Sequence, residues 1–128
     1  MAKTITESEI EQVCLDIFSG LGYEIVHGPD IAPDGLHPER TNYSDVVLIE
    51  RLREVIDRIN PGIPAEAKEE AIKQVLRLES PDLVVNNQRF HSLLANGVDV
   101  DFRKQDRIVT DKVWLFDFKN FSNNKFLA

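Results

Sequence analysis

The sequence predicts an α+β fold made of one early strand, four helices and a terminal β-hairpin. Apolar residues recur at helical spacing from Ile10 to Leu21 and across three later stretches. In the tail the period changes: Val98, Val100 and Phe102 alternate with Asp99, Asp101 and Arg103, the pattern of a half-buried strand. Between the first helix and the others lies a stretch dense in Pro and Gly that fits neither period. At 128 residues the chain has the usual size of one domain and can bury a single core.

Residues 1–28 read as a helix followed by a strand. Thr6 is a suitable N-cap, and Glu9 at the third helical position completes a capping box, with Ile5 and Ile10 bracketing it as a hydrophobic staple. Ile10, Val13, Cys14, Ile17, Phe18 and Leu21 then share one face, which is expected to be buried. Gly20 and Gly22 can end the helix, because glycine accepts the left-handed conformation of many helix termini. Tyr23 to His27 mixes aromatic and β-branched residues and should be a strand.

Residues 29–43 hold Pro29, Pro33, Pro38 and Gly35, just after Gly28. Proline fixes φ and lacks a donor, so an ordered or semi-rigid loop is expected there rather than a helix. Loops of this length inside compact domains commonly contact a partner. Residues 44–97 form a helical insert. Ser44 or Asp45 caps a run with Leu48, Ile49, Leu52, Val55, Ile56 and Ile59 on one face, stopped by Asn60-Pro61-Gly62. Pro64 opens a helix through Ala71, Ile72, Val75 and Leu76. Ser80 caps and Pro81 starts a further helix, with Leu83, Phe90, Leu93 and Leu94 inward and Gly97 at its end. Residues 98–119 make the hairpin, turning at Lys104-Gln105-Asp106, with a second strand from Ile108 to Phe118. Residues 120–128 read as a polar connector.

Composition narrows the function classes. Hydrophobic residues at 42% and charged residues at 29% are ordinary for a soluble globular domain. No apolar run is long enough to span a bilayer, and the start lacks a signal-peptide pattern, so a cytoplasmic protein without membrane contact is expected. The lone Cys14 cannot form an internal disulfide, in keeping with a reducing compartment. A net charge of −7 argues against a general nucleic-acid binder, although it leaves room for a nuclease that clusters carboxylates around a metal.

The sharpest catalytic pattern is Asp117-Phe118-Lys119 following Asp99 or Asp101. On a strand, residues two apart share a face, so a carboxylate and an ammonium could converge on a water bound to Mg²⁺. The weightier reading is a coincidence at the solvated end of a hairpin strand, since short motif matches are often false. Asp101, Asp117 and Lys119 are therefore treated as a decoy. Glu7, Glu9 and Glu11 cluster on the first helix, where carboxylates favour the positive end of the dipole without any active site. Glu9 has a capping task, which leaves Glu7 and Glu11 as candidate accessory acids for a metal. His27, His37 and His91 lack the paired spacing of a zinc site, and no Gly-rich phosphate loop with Lys-Ser or Lys-Thr is present. Cys14 reads as a small buried hydrophobe, not a nucleophile.

Several segments in order resemble the opening of the motor and nuclease subunit of type I restriction enzymes, the HsdR family. They run from Thr6-Glu7-Ser8-Glu9-Ile10-Glu11 and Leu21-Gly22-Tyr23 through His27 to Gly35 and His37-Pro38-Glu39-Arg40. Tyr43 to Leu48, Phe90-His91 before Leu93-Leu94, and Asn123-Asn124 before Phe126-Leu127-Ala128 continue them. The resemblance implies the amino-terminal part of a restriction-endonuclease-like α/β core, incomplete within these residues. It also implies a parent subunit that cleaves DNA and translocates it with ATP and Mg²⁺, working with modification and specificity subunits. In that family the nuclease and ATPase motifs lie beyond the point matching Ala128, and Asp117-Phe118-Lys119 matches a non-catalytic hairpin. The expectation is therefore a segment that holds no catalytic set, metal or cofactor of its own and is inactive alone. The alternative is an assembly module that docks neighbouring subunits without a catalytic role. Open sheet edges also lead us to expect self-association or partial disorder of the isolated segment.

Overall fold

A computed structural model describes residues 3–128. Its elements are helices α1 (Glu7–Gly20), α2 (Gly28–Ile31), α3 (Ile49–Ile59), α4 (Ala65–Leu76) and α5 (Leu83–Asn96), followed by strands β1 (Val98–Lys104) and β2 (Arg107–Val113) and a 3₁₀ turn at Phe121–Asn123. The mixed α+β class expected from the sequence is the one observed. The chain divides into two compact units: one runs to Ser44 and takes in Lys125–Ala128, and the other is Asp45–Asn124.

In the first unit α1 begins as its sequence dictates. The Glu9 N–H donates to Thr6 Oγ1 at 3.3 Å while the Thr6 N–H donates to Glu9 Oε2 at 2.9 Å, so both halves of the capping box form. Its apolar stripe is not buried, however. Ile10, Val13 and Ile17 are each more than half exposed, and Cys14 is exposed too, against the expectation of a covered face. The helical period decides which residues share a side; covering that side needs another element, and here Tyr23 reaches the stripe at Phe18 while Ile10, Val13 and Ile17 stay open.

The early strand shrinks to a single parallel bridge, Glu24 to Leu127. Its partner segment is short: Glu24 N–H donates to Phe126 O, Val26 N–H to Ala128 O, and Ala128 N–H returns to Glu24 O. The residues expected to be a polar connector thus fold back as the pairing segment, and Tyr23 stacks between Phe18 and Phe126 at 4.9 and 5.2 Å. The proline loop opens with the one-turn helix α2, because Pro29 falls in the first turn, where a missing N–H leaves nothing unpaired. Backbone bonds from Gly35 to Ala32, His37 to Asp30 and Glu39 to Ile31 then tie the loop down over buried Ala32. A Cβ on Gly35 would lie 2.3 Å from the Pro29 carbonyl oxygen, so only glycine fits there.

The second unit carries the core. α4 lies over β1, and Ile56, Ala67, Ala71, Ile72 and Val75 meet Val98, Val100, Phe102, Val113 and Leu115. The strands pair antiparallel with Val98 opposite Val113 and Lys104 opposite Arg107. Helix starts differ from the sequence expectation. α3 begins at Ile49 after Leu48 without a side-chain cap, and the Ser44 N–H donates instead to Asn42 Oδ1. Pro64 precedes α4 as its N-cap, one position before the first turn. α5 is capped by Asp82, whose carboxylate accepts the Val84 N–H at 2.8 Å, while Ser80 Oγ accepts the Asp82 N–H. Arg89 from α5 donates to the carbonyls of Gln74 and Arg77, closing the end of α4. Leu93 and Leu94 pack on the core as expected; Leu83 and Phe90 stay exposed.

β2 ends at Val113, five residues before the expected Phe118. The cause lies in helix α3's terminus. Asn60, nearly fully buried, accepts the Trp114 N–H at 2.7 Å and donates to the Trp114 carbonyl at 2.8 Å, taking both groups a strand would offer its neighbour. On the other side Val98 is the last pairing residue, preceded by Gly97 at φ 77°, the C-cap of α5.

Candidate functional site

The acid–lysine pattern is best judged from its backbone. With β2 finished at Val113, Asp117-Phe118-Lys119 belongs to a turn, and the two-apart rule for strand faces no longer applies to it. Asp117 Oδ1 accepts the N–H groups of Lys119 at 2.9 Å and Asn120 at 2.8 Å, and Oδ2 accepts Asn123 Nδ2 at 2.9 Å. Asn124 completes the knot by accepting the Asp117 N–H and donating to its carbonyl. The Asn120 N–H, then the Asn123 amide, hold the Asp117 carboxyl below its ordinary range, because each bond favours the charged form. This carboxylate is occupied as a turn organiser.

Asp99 and Asp101 both lie on the outward side of β1. Asp99 pairs with Lys112 across the ladder at 2.9 Å, and Asp101 accepts the Thr110 hydroxyl. Both line an open groove against α4 with Glu66, Glu70, Gln74 and Arg103. Among the described residues, no group of three or more His, Cys, Asp or Glu side chains is arranged to hold a metal ion.

On α1 the three glutamates separate by task. Glu9 is taken up by Thr6 and by Lys3 at 3.0 Å, and the Thr6 N–H is the main reason its carboxyl lies below the ordinary range. Glu7 and Glu11 are exposed, one turn apart, and border a shallow hollow with Ile10, Cys14 and Leu15. His27 pairs with Asp30 at 3.7 Å.

The proline loop holds a polar cluster that sequence reading did not single out. The Tyr43 hydroxyl donates to Asp34, the Arg40 guanidinium donates to the Tyr43 carbonyl, and Arg40 lies 6.0 Å from the Tyr43 ring centre. The Tyr43 bond lowers the Asp34 carboxyl, and the same bond raises the Tyr43 phenol. The three residues are six and three positions apart, spacings that carry no motif, so only the folded loop reveals them. Aromatic residues after β2 form another cluster: Phe116 contacts Phe118 and Phe121 at 4.9 and 5.8 Å, and Trp114 meets Phe118 edge-on at 6.2 Å. Asp117 and Lys119 border a cleft of about 290 Å³ beside Trp114, Phe116 and Phe118.

These features define a mixed α+β scaffold whose patterned carboxylates mostly serve caps, turns and cross-strand pairs. Residues 4–128 match the family described as the type I restriction enzyme R protein N terminus, and the chain belongs to that family. It is 35% identical over 124 residues to the type I restriction enzyme HindI endonuclease subunit of Haemophilus influenzae, covering 97% of this chain and 12% of that protein. It is 31% identical over 127 residues to a Methanocaldococcus jannaschii protein provisionally named as the type I restriction enzyme MjaIXP endonuclease subunit, covering 99% of this chain and 12% of that protein. The chain thus spans about an eighth of the length of these relatives, 12% in both. No solved structure matches. Among the described residues no helix is long and apolar enough to cross a membrane.

Proposed function

We propose that these residues are a scaffold segment of a subunit that cleaves DNA and translocates it with ATP, working with modification and specificity subunits. In this reading Mg²⁺ and ATP serve the parent protein through residues outside this 128-residue segment. The observation that carries it is Asp117: the one carboxylate of the hairpin region that stands two residues before a lysine accepts three hydrogen bonds from its own turn, on both oxygens. A carboxylate so bound keeps about one acceptor site, on Oδ2, and among the described residues no group of three or more His, Cys, Asp or Glu side chains stands ready to complete a shell around Mg²⁺, so no catalytic step is assigned to these residues. Glu7 and Glu11 are the acids of this segment best placed to approach a metal held elsewhere, being exposed and free of the capping duty that occupies Glu9. The test is cleavage by the full-length assembly carrying Asp117→Asn. Cleavage per folded molecule is expected to match the parent; its loss at a temperature where the variant remains fully folded would overturn the reading.

The alternative, an assembly module, is favoured by one observation. Leu36 is 80% exposed on a loop whose neighbours are fixed by backbone bonds, a rigid mount for an apolar anchor. Substitutions within residues 29–40 that weaken subunit co-purification while sparing cleavage would support it.

A further inference from the structure

The hairpin ends in a two-residue turn, Gln105 and Asp106, both at positive φ, 51° and 61°. That geometry matches the right-handed twist of the strands and projects a narrow tip. The pair closing the turn is Lys104 opposite Arg107, with Arg103 opposite Ile108 beside it, and every residue from Arg103 to Ile108 is exposed. Like charges directly opposed on a ladder destabilise it. Further down the same ladder the charges are complementary, with Lys112 bonded to Asp99 at 2.9 Å. The hairpin therefore satisfies its charges at the base and leaves them opposed at the tip, in a chain whose net charge is −7.

Nearby acids offset this only in part. Asp106 belongs to the turn itself, Asp101 is engaged by Thr110, and Glu66 and Glu70 share a groove with Arg103. Lys104 and Arg107 lie outside the lining of that groove. A cation on a strand edge can serve simply to prevent edge pairing, and both strands of this two-stranded sheet are edges, but that purpose does not require the two cations to face one another, at a cost, beside the turn. A charged tip is also unsuited to burial against apolar surface, unlike the exposed stripe of α1.

We propose that this tip contacts the phosphodiester backbone of duplex DNA, Lys104 and Arg107 each meeting a phosphate. The proposal rests on the reading of the parent subunit as one that acts on DNA. Such contacts position a protein on the duplex without reading sequence, and the acidic remainder of the chain keeps them local. Neutralising phosphates releases counterions, so the contact has a signature in salt dependence that a structural role lacks.

The experiment measures non-specific duplex binding by the full-length assembly over a salt series, comparing the parent with Lys104→Gln/Arg107→Gln. Lys73→Gln, an exposed cation on α4, is the control. The double variant is expected to melt at or slightly above the parent and to show a log–log salt slope shallower by about 2, with the control at the parent slope. A parent slope in the double variant would overturn the proposal while leaving the DNA-acting function standing. Weakened subunit co-purification at an unchanged slope would also overturn it, assigning the tip to an acidic protein partner. Failure of the parent assembly itself to bind duplex would overturn the underlying function and this proposal with it.

Discussion

The two units treat similar apolar patterns in opposite ways. In the second, Ile56, Val98, Val100 and Val113 are fully enclosed, because α4 and the hairpin present complementary faces to one another. In the first, α1 carries an equally regular stripe, yet Ile17 remains 58% exposed. Both helices obey the same period. What differs is whether a partner face lies within the unit, so a stripe in sequence states an intention to pack that the chain must then find something to fulfil.

The largest contrast should appear on truncating one residue of each kind. Ile56→Ala removes a fully buried side chain and is expected to destabilise by about 3 kcal/mol, whereas Ile17→Ala should change stability by less than about 0.5 kcal/mol. Urea titration followed by far-ultraviolet circular dichroism, which reads helices of both units, separates them. Equal effects would break the comparison, since α1 would then be buried in solution.

Asn60→Ala should rank next, at about 2–3 kcal/mol, because it strips the Trp114 N–H and carbonyl of their partners near the core. The same titration reads it. A loss below about 0.5 kcal/mol would mean that water replaces the amide and that the clamp does not end β2.

Asn60 also shows why the end of β2 could not be read from sequence. Alternation and aromatic content favour continuing to Phe118, and the residue that stops the strand lies 54 positions away. Local signals fared better: Thr6 and Glu9 are three apart and formed the expected box, and Gly97 ends α5 as its type suggests. Ser80 and Asp82 are both good caps, and sequence offers no way to rank them two residues apart; the folded chain uses Asp82 as the cap and Ser80 as its support. The Asp34–Arg40–Tyr43 cluster was invisible because it depends on the path of the loop. The partners of Asp117 are close in sequence, but Asn120, Asn123 and Asn124 mean a turn only once the strand is known to have ended.

Asp117 offers a smaller effect with a defined pH sign. Its carboxyl lies below the ordinary range when folded, held there first by the Asn120 N–H. Its contribution is therefore full above the unfolded carboxyl's range and disappears as pH falls through the lowered folded value. The melting temperature of the parent should exceed that of Asp117→Asn at neutral pH, and the gap should narrow on acidification. A gap that widens in acid would show that the turn is not held by the charged form.

In the first unit, Thr6→Ala should reduce stability of α1 by about 1 kcal/mol, seen as lost helical signal in circular dichroism. An unchanged signal would mean that other contacts hold the start of that helix.

The reading proposed for these 128 residues is that they shape and support a DNA-cutting subunit without assembling a cutting centre. Its most direct test is incubation of the segment alone with supercoiled plasmid and Mg²⁺. The expected result is no Mg²⁺-dependent nicking. Nicking that requires Mg²⁺ and vanishes in Asp117→Ala would contradict the claim.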